Sequence, residues 1–170
     1  MASISDEACR AQALACMVTP TEYSTMSRIS QIENVLHTKI PLTRAMGVRV
    51  EDYDDERLTL SAPWAANINH IGTAFGGSLN ALLVLAGYAL LWLELQDTAC
   101  HIVIKESKIS YDLPVGGDLR AICKRPELSE LETFKERFQT NGRARITLSA
   151  TIEDRGNIAA PFEGTFVAMR

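Results

Sequence analysis

The stretch Phe75-Gly-Gly-Ser-Leu-Asn-Ala-Leu-Leu-Val-Leu-Ala-Gly-Tyr-Ala-Leu-Leu-Trp-Leu-Glu-Leu95 decides the fold. Its uninterrupted apolar run is residues 81–93, thirteen positions. Crossing a bilayer takes about twenty apolar residues. Ser78 and Asn80 interrupt the run on one side and Glu94 on the other. The stretch therefore reads as a core helix, starting near Phe75-Gly76-Gly77-Ser78, that is too apolar to keep any face in water.

Working outward, the flanking segments read as strands. Upstream, Val48 and Val50 alternate with Arg49 and Glu51, and Leu58, Leu60 and Ala62 alternate with Thr59 and Ser61. Residues 53–57 form the turn between them. Downstream, a long strand is predicted over 101–113. Ile102 and Ile104 share one phase, and Ile109, Tyr111 and Leu113 the other, so a bulge is expected near Lys105–Lys108. After Pro114-Val-Gly-Gly, Leu119, Ala121 and Cys123 suit the next strand. The chain closes on Ile146–Ile152 and Ile158–Ala168, both alternating.

Two amphipathic helices complete the pattern. Ile29, Ile32, Val35, Leu36 and Ile40 recur at helical spacing, and Pro41 ends that helix. Pro126 is expected to open another, with Leu128, Leu131, Phe134 and Phe138 on one side and Asn141-Gly142 at its close. Residues 1–27 read as an N-terminal extension, and 28–170 as one domain.

The order is helix, strand, strand, long apolar helix, strand, strand, helix, strand, strand. Hairpin-like strand pairs suggest an antiparallel sheet, and the economical packing curves it round the apolar helix. The fold class is α+β. One small sheet covers such a helix only partly, so a homodimer or homotetramer is expected.

Composition narrows the function. The formal net charge of −4 offers no general attraction to nucleic acid or to an anionic membrane. Cys9, Cys16, Cys100 and Cys123 form no C-x-x-C pair and have no His-x-x-x-His beside them, which argues against a metal site. They read as isolated thiols in a reducing compartment. Asp6 and Glu7 come early and the apolar stretch 11–18 is short, unlike a secretory signal, so a cytoplasmic location is expected.

The entrance to the long helix is the segment Asn67-Ile-Asn-His-Ile-Gly-Thr-Ala-Phe-Gly-Gly-Ser-Leu-Asn80. It resembles the start of the central helix in thioesterases of the YiiD C-terminal type, within the hotdog superfamily. Ile109-Ser-Tyr-Asp-Leu-Pro-Val-Gly-Gly-Asp-Leu-Arg-Ala121 resembles the turn between the third and fourth strands of acyl-CoA thioesterases of that superfamily. Residues 142–150 and 162–166 are also similar to the YiiD type. The resemblance implies a hotdog fold over roughly residues 30–170, with hydrolysis of an acyl-CoA or acyl-carrier thioester and no cofactor.

It also implies roles. In thioesterases of the phenylacetate-pathway type an Asn stands six residues before a His-Gly-Gly at the helix start. Here that Asn is Asn69, the His is Phe75, and Gly76 matches the glycine whose N–H polarises the thioester carbonyl. The family's catalytic carboxylate falls on Val84.

The residues themselves support parts of this. Gly76 and Gly77 stand where a helix N-terminus leaves N–H groups free, and glycine permits close approach. Close packing is their structural alternative. Asn80 shares a helix face with Gly76 and Val84. His70 offers an imidazole, and Ser78 a hydroxyl that could contact the thioester or cap the helix. Asn67, Thr73 and Tyr111 are candidate substrate contacts, and Lys105 and Lys108 candidate partners for CoA phosphates. Glu106 and Asp112 flank the strand expected to meet a neighbouring subunit. No Gly-x-Ser-x-Gly elbow occurs, which disfavours a covalent serine route. The competing readings are an acyl-CoA-binding module without turnover and, ranked last, a hotdog hydratase or dehydratase.

Overall fold

The computed structural model describes residues 27–170. Cys9, Cys16 and most of the segment read as an N-terminal extension lie outside the described residues.

The first helix, α1 (Arg28–Lys39), begins at Ser27, whose hydroxyl accepts the Ser30 N–H. Ile32 and Leu36 are buried, with Ile29, Val35 and Ile40 packed beside them. Pro41 ends α1 as expected, but it also starts a short helix the pattern did not announce, α2 (Leu42–Met46). Proline at a helix start loses no hydrogen bond, because that N–H has no intrahelical partner.

Strands β1 (Arg49–Tyr53) and β2 (Arg57–Ala62) form a hairpin. The long helix α3 spans Gly76–Leu95. Then follow β3 (His101–Ile109), β4 (Leu119–Lys124), α4 (Leu128–Asn141), β5 (Arg143–Asp154) and β6 (Asn157–Met169). The six strands make one antiparallel sheet in the order β1-β2-β4-β5-β6-β3. Helix α3 packs against five of them, β2 through β6. This is the hotdog architecture.

Several expectations need correction. The strands before and after Pro114 are no hairpin: β3 pairs only with β6, at an edge, while β4 lies between β2 and β5. The predicted strand 101–113 ends at Ile109. Beyond it the chain follows β6 irregularly, with the Asp112 and Leu113 N–H groups both donating to Ala159 O. Tyr111 and Leu113 are accordingly exposed. The bulge is present, with Lys105 as the extra residue between Ile104 and Glu106. A second bulge, unforeseen, makes Ala159 the extra residue opposite Ile152 and Glu153. It moves Ile158 out of phase with the core and leaves it exposed. Pro126 precedes α4 rather than opening it, so Leu128 is the first helical residue and points outward. Leu131, Phe134 and Phe138 do face the core, and Gly142 ends α4 at φ 66°.

The C-terminal end of α3 carries a buried charge. Glu94 accepts hydrogen bonds from Tyr53 Oη at 2.7 Å, Lys135 Nζ at 2.6 Å and Arg125 Nη2 at 3.3 Å. Arg125 Nε stands 2.8 Å from Oε1 as an ion pair off the hydrogen-bond axis. Burial pushes the Glu94 carboxyl up, but bonds from Lys135 and Tyr53, with the Lys135 charge and Arg125, outweigh it and hold it below the usual range. Burial, then the bond to Glu94, pushes Tyr53 up to about 12. Arg28 adds a stack over the Tyr53 ring at 5.4 Å and a bond to Leu93 O. One carboxylate thus ties β1, the β4–α4 connection and α4 to the end of α3, and Arg28 fastens α1 beside it.

This packing can be tested at two positions. An alanine methyl at Gly87 would stand 2.3 Å from the Phe166 ring. Helix propensity alone would make Gly87→Ala stabilising by about 1 kcal/mol. The clash reverses the sign, and urea titration should show a loss of about 1–3 kcal/mol. For Glu94→Gln the expected loss is roughly 2–4 kcal/mol at pH 7, because Arg125 and Lys135 would lose their buried counter-charge. The Glu94 carboxyl is depressed on folding, so its contribution is complete above its unfolded pKa of about 4.3 and fades as pH falls below that value. The gap between wild type and Glu94→Gln should therefore close in acid. A gap unchanged at pH 3 would contradict the assignment. On the alkaline side, the Tyr53 contribution should be intact below its unfolded pKa of about 10 and lost as pH rises through about 12.

Candidate functional site

The N-terminal end of α3 is open where its C-terminal end is closed. The first bond made by the helix's own turn is Leu79 N–H to Phe75 O, at 3.1 Å. Among the described residues, the N–H groups of Gly76, Gly77 and Ser78 have no acceptor. No side chain caps the helix: Phe75 holds the cap position. The three donors and the helix dipole therefore point at whatever occupies the space ahead of them.

Two aromatic rings frame these donors. A Cβ on Gly77 would stand 2.3 Å from the Phe75 ring, and a Cβ on Gly76 3.3 Å from the Tyr111 ring. Tyr111 Oη donates to Gly76 O at 3.2 Å. As the rings stand, both glycines let them lie close to the first turn of α3. Phe75 and Tyr111 are more than half exposed, beside exposed Ile68 and Ile71 on the approaching loop. The Phe75 ring was missed in the sequence, where Phe75 registered only as the replacement of a histidine.

The loop that delivers the chain to α3 is held by its two asparagines. Asn67 is buried, and its Nδ2 donates to Met46 O at 2.9 Å and Pro63 O at 2.8 Å. Its carbonyl accepts the Phe75 N–H at 2.7 Å. Asn69 Oδ1 accepts the N–H groups of Ile71 and Thr73, while Nδ2 donates to Thr73 Oγ1 and Ala74 O. This is an Asx-type turn, in which side-chain amides replace backbone partners. Gly72, at φ 82°, completes the turn. Ala74 N–H reaches Val115 O at 2.8 Å, so the turn after β3 is fastened to the same loop. Asn69 and Thr73 thus spend their polar groups on holding the loop, as does Asn67 Nδ2, while Asn67 Oδ1 is buried without a partner among the described residues.

The other candidates separate into near and far. Asn80 lies one turn into α3 from Gly76, and its Oδ1 is buried with no partner among the described residues. An unpaired buried acceptor costs about 1–3 kcal/mol, so a donor belongs there. Ser78 is partly exposed on the first turn. Val84, one turn beyond Asn80, packs against the core. His70 is exposed on the loop. Lys105 and Lys108 are exposed on β3, with Lys105 3.8 Å from Glu106. Among the described residues, no group of three or more His, Cys, Asp or Glu is arranged to hold a metal. The site offers free donors, an unfilled acceptor, and apolar and aromatic walls.

Comparison with known proteins places this arrangement in context. Residues 29–170 match the family model described as "Putative thioesterase (yiiD_Cterm)". A protein of unknown function from Chlorobaculum tepidum TLS is 33% identical, over 89% of this chain and 97% of its own, with a TM-score of 0.78. A protein of Shewanella oneidensis described as a putative thioesterase is 26% identical, over 84% and 98%, with a TM-score of 0.73. A mutant phenylacetic acid degradation protein from Thermus thermophilus, at 22% identity over 75% and 97% and a TM-score of 0.56, shares the fold.

Proposed function

Because the chain belongs to the YiiD C-terminal family of thioesterase-type hotdog proteins, we propose that it hydrolyses an acyl thioester carried by CoA or an acyl-carrier protein. The observation that carries the reading is the set of free N–H groups at Gly76, Gly77 and Ser78, between the rings of Phe75 and Tyr111. In this reading the thioester carbonyl oxygen takes its hydrogen bonds from Gly76 or Gly77. Charge that develops on that oxygen meets fixed donors and the positive end of α3, so stabilisation grows toward the transition state.

Water supplies the nucleophile. Asn80 Oδ1, the unfilled acceptor one turn below Gly76, takes a hydrogen bond from that water and orients it. Water oxygen bonds to the carbonyl carbon, the C–S bond breaks, and the departing sulfur takes a proton from that water, leaving a free thiol and a carboxylic acid. His70 serves this scheme as a proton carrier at the solvent edge. Asn69 acts by holding the loop. Lys105 and Lys108 supply charge for the CoA phosphates. The rate expected is modest, because an amide orients water without deprotonating it.

The reading includes a homodimer or homotetramer in the cytoplasm. Its support is the edge position of β3, where Val103 is exposed, and the half-covered stripe Ala81, Val84, Tyr88 and Trp92 on α3. Sedimentation should return a dimer or tetramer, and a monomer at assay concentrations would remove this part.

Val84 in the carboxylate position favours a second reading, a module that binds acyl-CoA without turning it over. A panel of acyl-CoA thioesters from acetyl to palmitoyl, followed by thiol release, separates the two. Hydrolysis peaking at one chain length is expected, with kcat/KM falling at least about tenfold, or 1.4 kcal/mol, in Asn80→Ala. Binding without release on every substrate would sink the hydrolase and leave the module.

A further inference from the structure

A groove on the outer face of the sheet gathers three arginines. Arg143 and Arg145 alternate along β5 with Ala144 and Ile146, which belong to the core, so both stand on the face turned away from α3. Gly142 turns the chain at φ 66° and sets the last turns of α4 beside them. The cavity between has a volume of about 370 Å³ and is lined by Arg137, Asn141, Arg143, Ala144, Arg145 and Val167. Arg137 and Arg145 also line an adjoining hollow of about 350 Å³, where Glu130 is the acid among the lining residues. All three arginines are exposed, and none has a hydrogen-bond or ion-pair partner among the described residues. The C-terminal end of α4 adds roughly half a negative charge, against three positive ones. The chain as a whole carries −4, so the groove is a local reversal of sign.

A guanidinium presents a planar fork of donors that matches phosphate oxygens two at a time. Three such forks on one small cavity suit an anion with several charges and many oxygens. The apolar lining is only Ala144 and Val167, too little for an acyl chain. We infer that this groove binds a condensed phosphate of the pyrophosphate class, at a site separate from the one that takes the thioester. The two lie on opposite faces of the sheet. Val103 and Val167 are level with Arg145, whereas Tyr111, against Gly76, stands roughly 25 Å further along at about 3.3 Å per residue. The groove also stays open in an assembly paired through β3, because β6 separates β5 from that edge. No bond is made or broken in the inference, which holds whether or not the chain hydrolyses thioesters.

Equilibrium dialysis of radiolabelled pyrophosphate against the full-length chain tests it, with sulfate and free CoA as competitors. Saturable binding is expected, with pyrophosphate favoured over sulfate by at least about tenfold and no displacement by saturating CoA. Arg137→Ala combined with Arg145→Ala should weaken pyrophosphate binding about tenfold, the scale of two solvent-reached charge contacts, and leave thioester turnover and the circular-dichroism spectrum unchanged. Lys105→Ala combined with Lys108→Ala should leave pyrophosphate affinity as it was. Absence of saturable binding would overturn the inference, as would equal affinity for sulfate, displacement by CoA, or an arginine variant that binds like wild type. Weakening in the lysine variant would move the anion to β3 and overturn it too. Affinity that falls as protein concentration rises would give the groove to a second copy of the chain, with the same consequence. Failure of hydrolysis on the thioester panel touches none of these outcomes.

Discussion

Helix α3 constrains everything around it. Its apolar residues run round the whole circumference, so no orientation on a flat sheet would cover them. The sheet answers by packing strands β2 through β6 against one helix. Buried leucines from Leu79 to Leu93 line the contact, and Gly87 lets the Phe166 ring approach the helix axis. The direction of α3 then fixes where chemistry is possible. Its two ends differ in kind, because one is filled with side-chain charge and the other is left with bare donors.

The closed end explains how a single acid is tolerated in the core. A carboxylate in the last turn of a helix opposes the dipole there, and burial adds to the cost. Lys135, Arg125 and Tyr53 offset both terms at Glu94, and in doing so they fasten three other elements to α3. The open end is fixed differently. Asn67 and Asn69 hold the entrance loop through backbone carbonyls and amides, so the free N–H groups of Gly76, Gly77 and Ser78 are presented from a rigid support. Preorganised donors of this kind need little rearrangement as charge develops.

Much of this was legible in the sequence because it depends on local pattern. Helix α3 is visible in its composition, and the bulge at Lys105 in the conflict of phase between Ile104 and Ile109. The bulge at Ala159 was hidden, because Ile158-Ala-Ala reads as apolar in either phase. The separation of β3 from β4 was hidden for another reason: strand neighbours are set by long-range pairing, and the turn at Pro114 looks the same whether or not a hairpin follows. Glu94 registered only as the end of an apolar run, since its partners lie 31 and 41 residues away. At the candidate site, helical spacing puts Asn80 below Gly76 without the structure. No spacing rule places the Phe75 and Tyr111 rings over the two glycines.

The claim on which the account turns is that the free donors of α3 receive the acyl carbonyl. Amide resonances of Gly76, Gly77 and Ser78 in ¹⁵N-labelled protein test it directly, during titration with an acyl-CoA analogue that keeps the carbonyl but has a methylene in place of sulfur. The account predicts saturable downfield proton shifts at Gly76 or Gly77, as new hydrogen bonds form, with smaller shifts at Asn69 and Thr73. Saturable binding that leaves the Gly76, Gly77 and Ser78 amides unmoved and shifts residues elsewhere would contradict it.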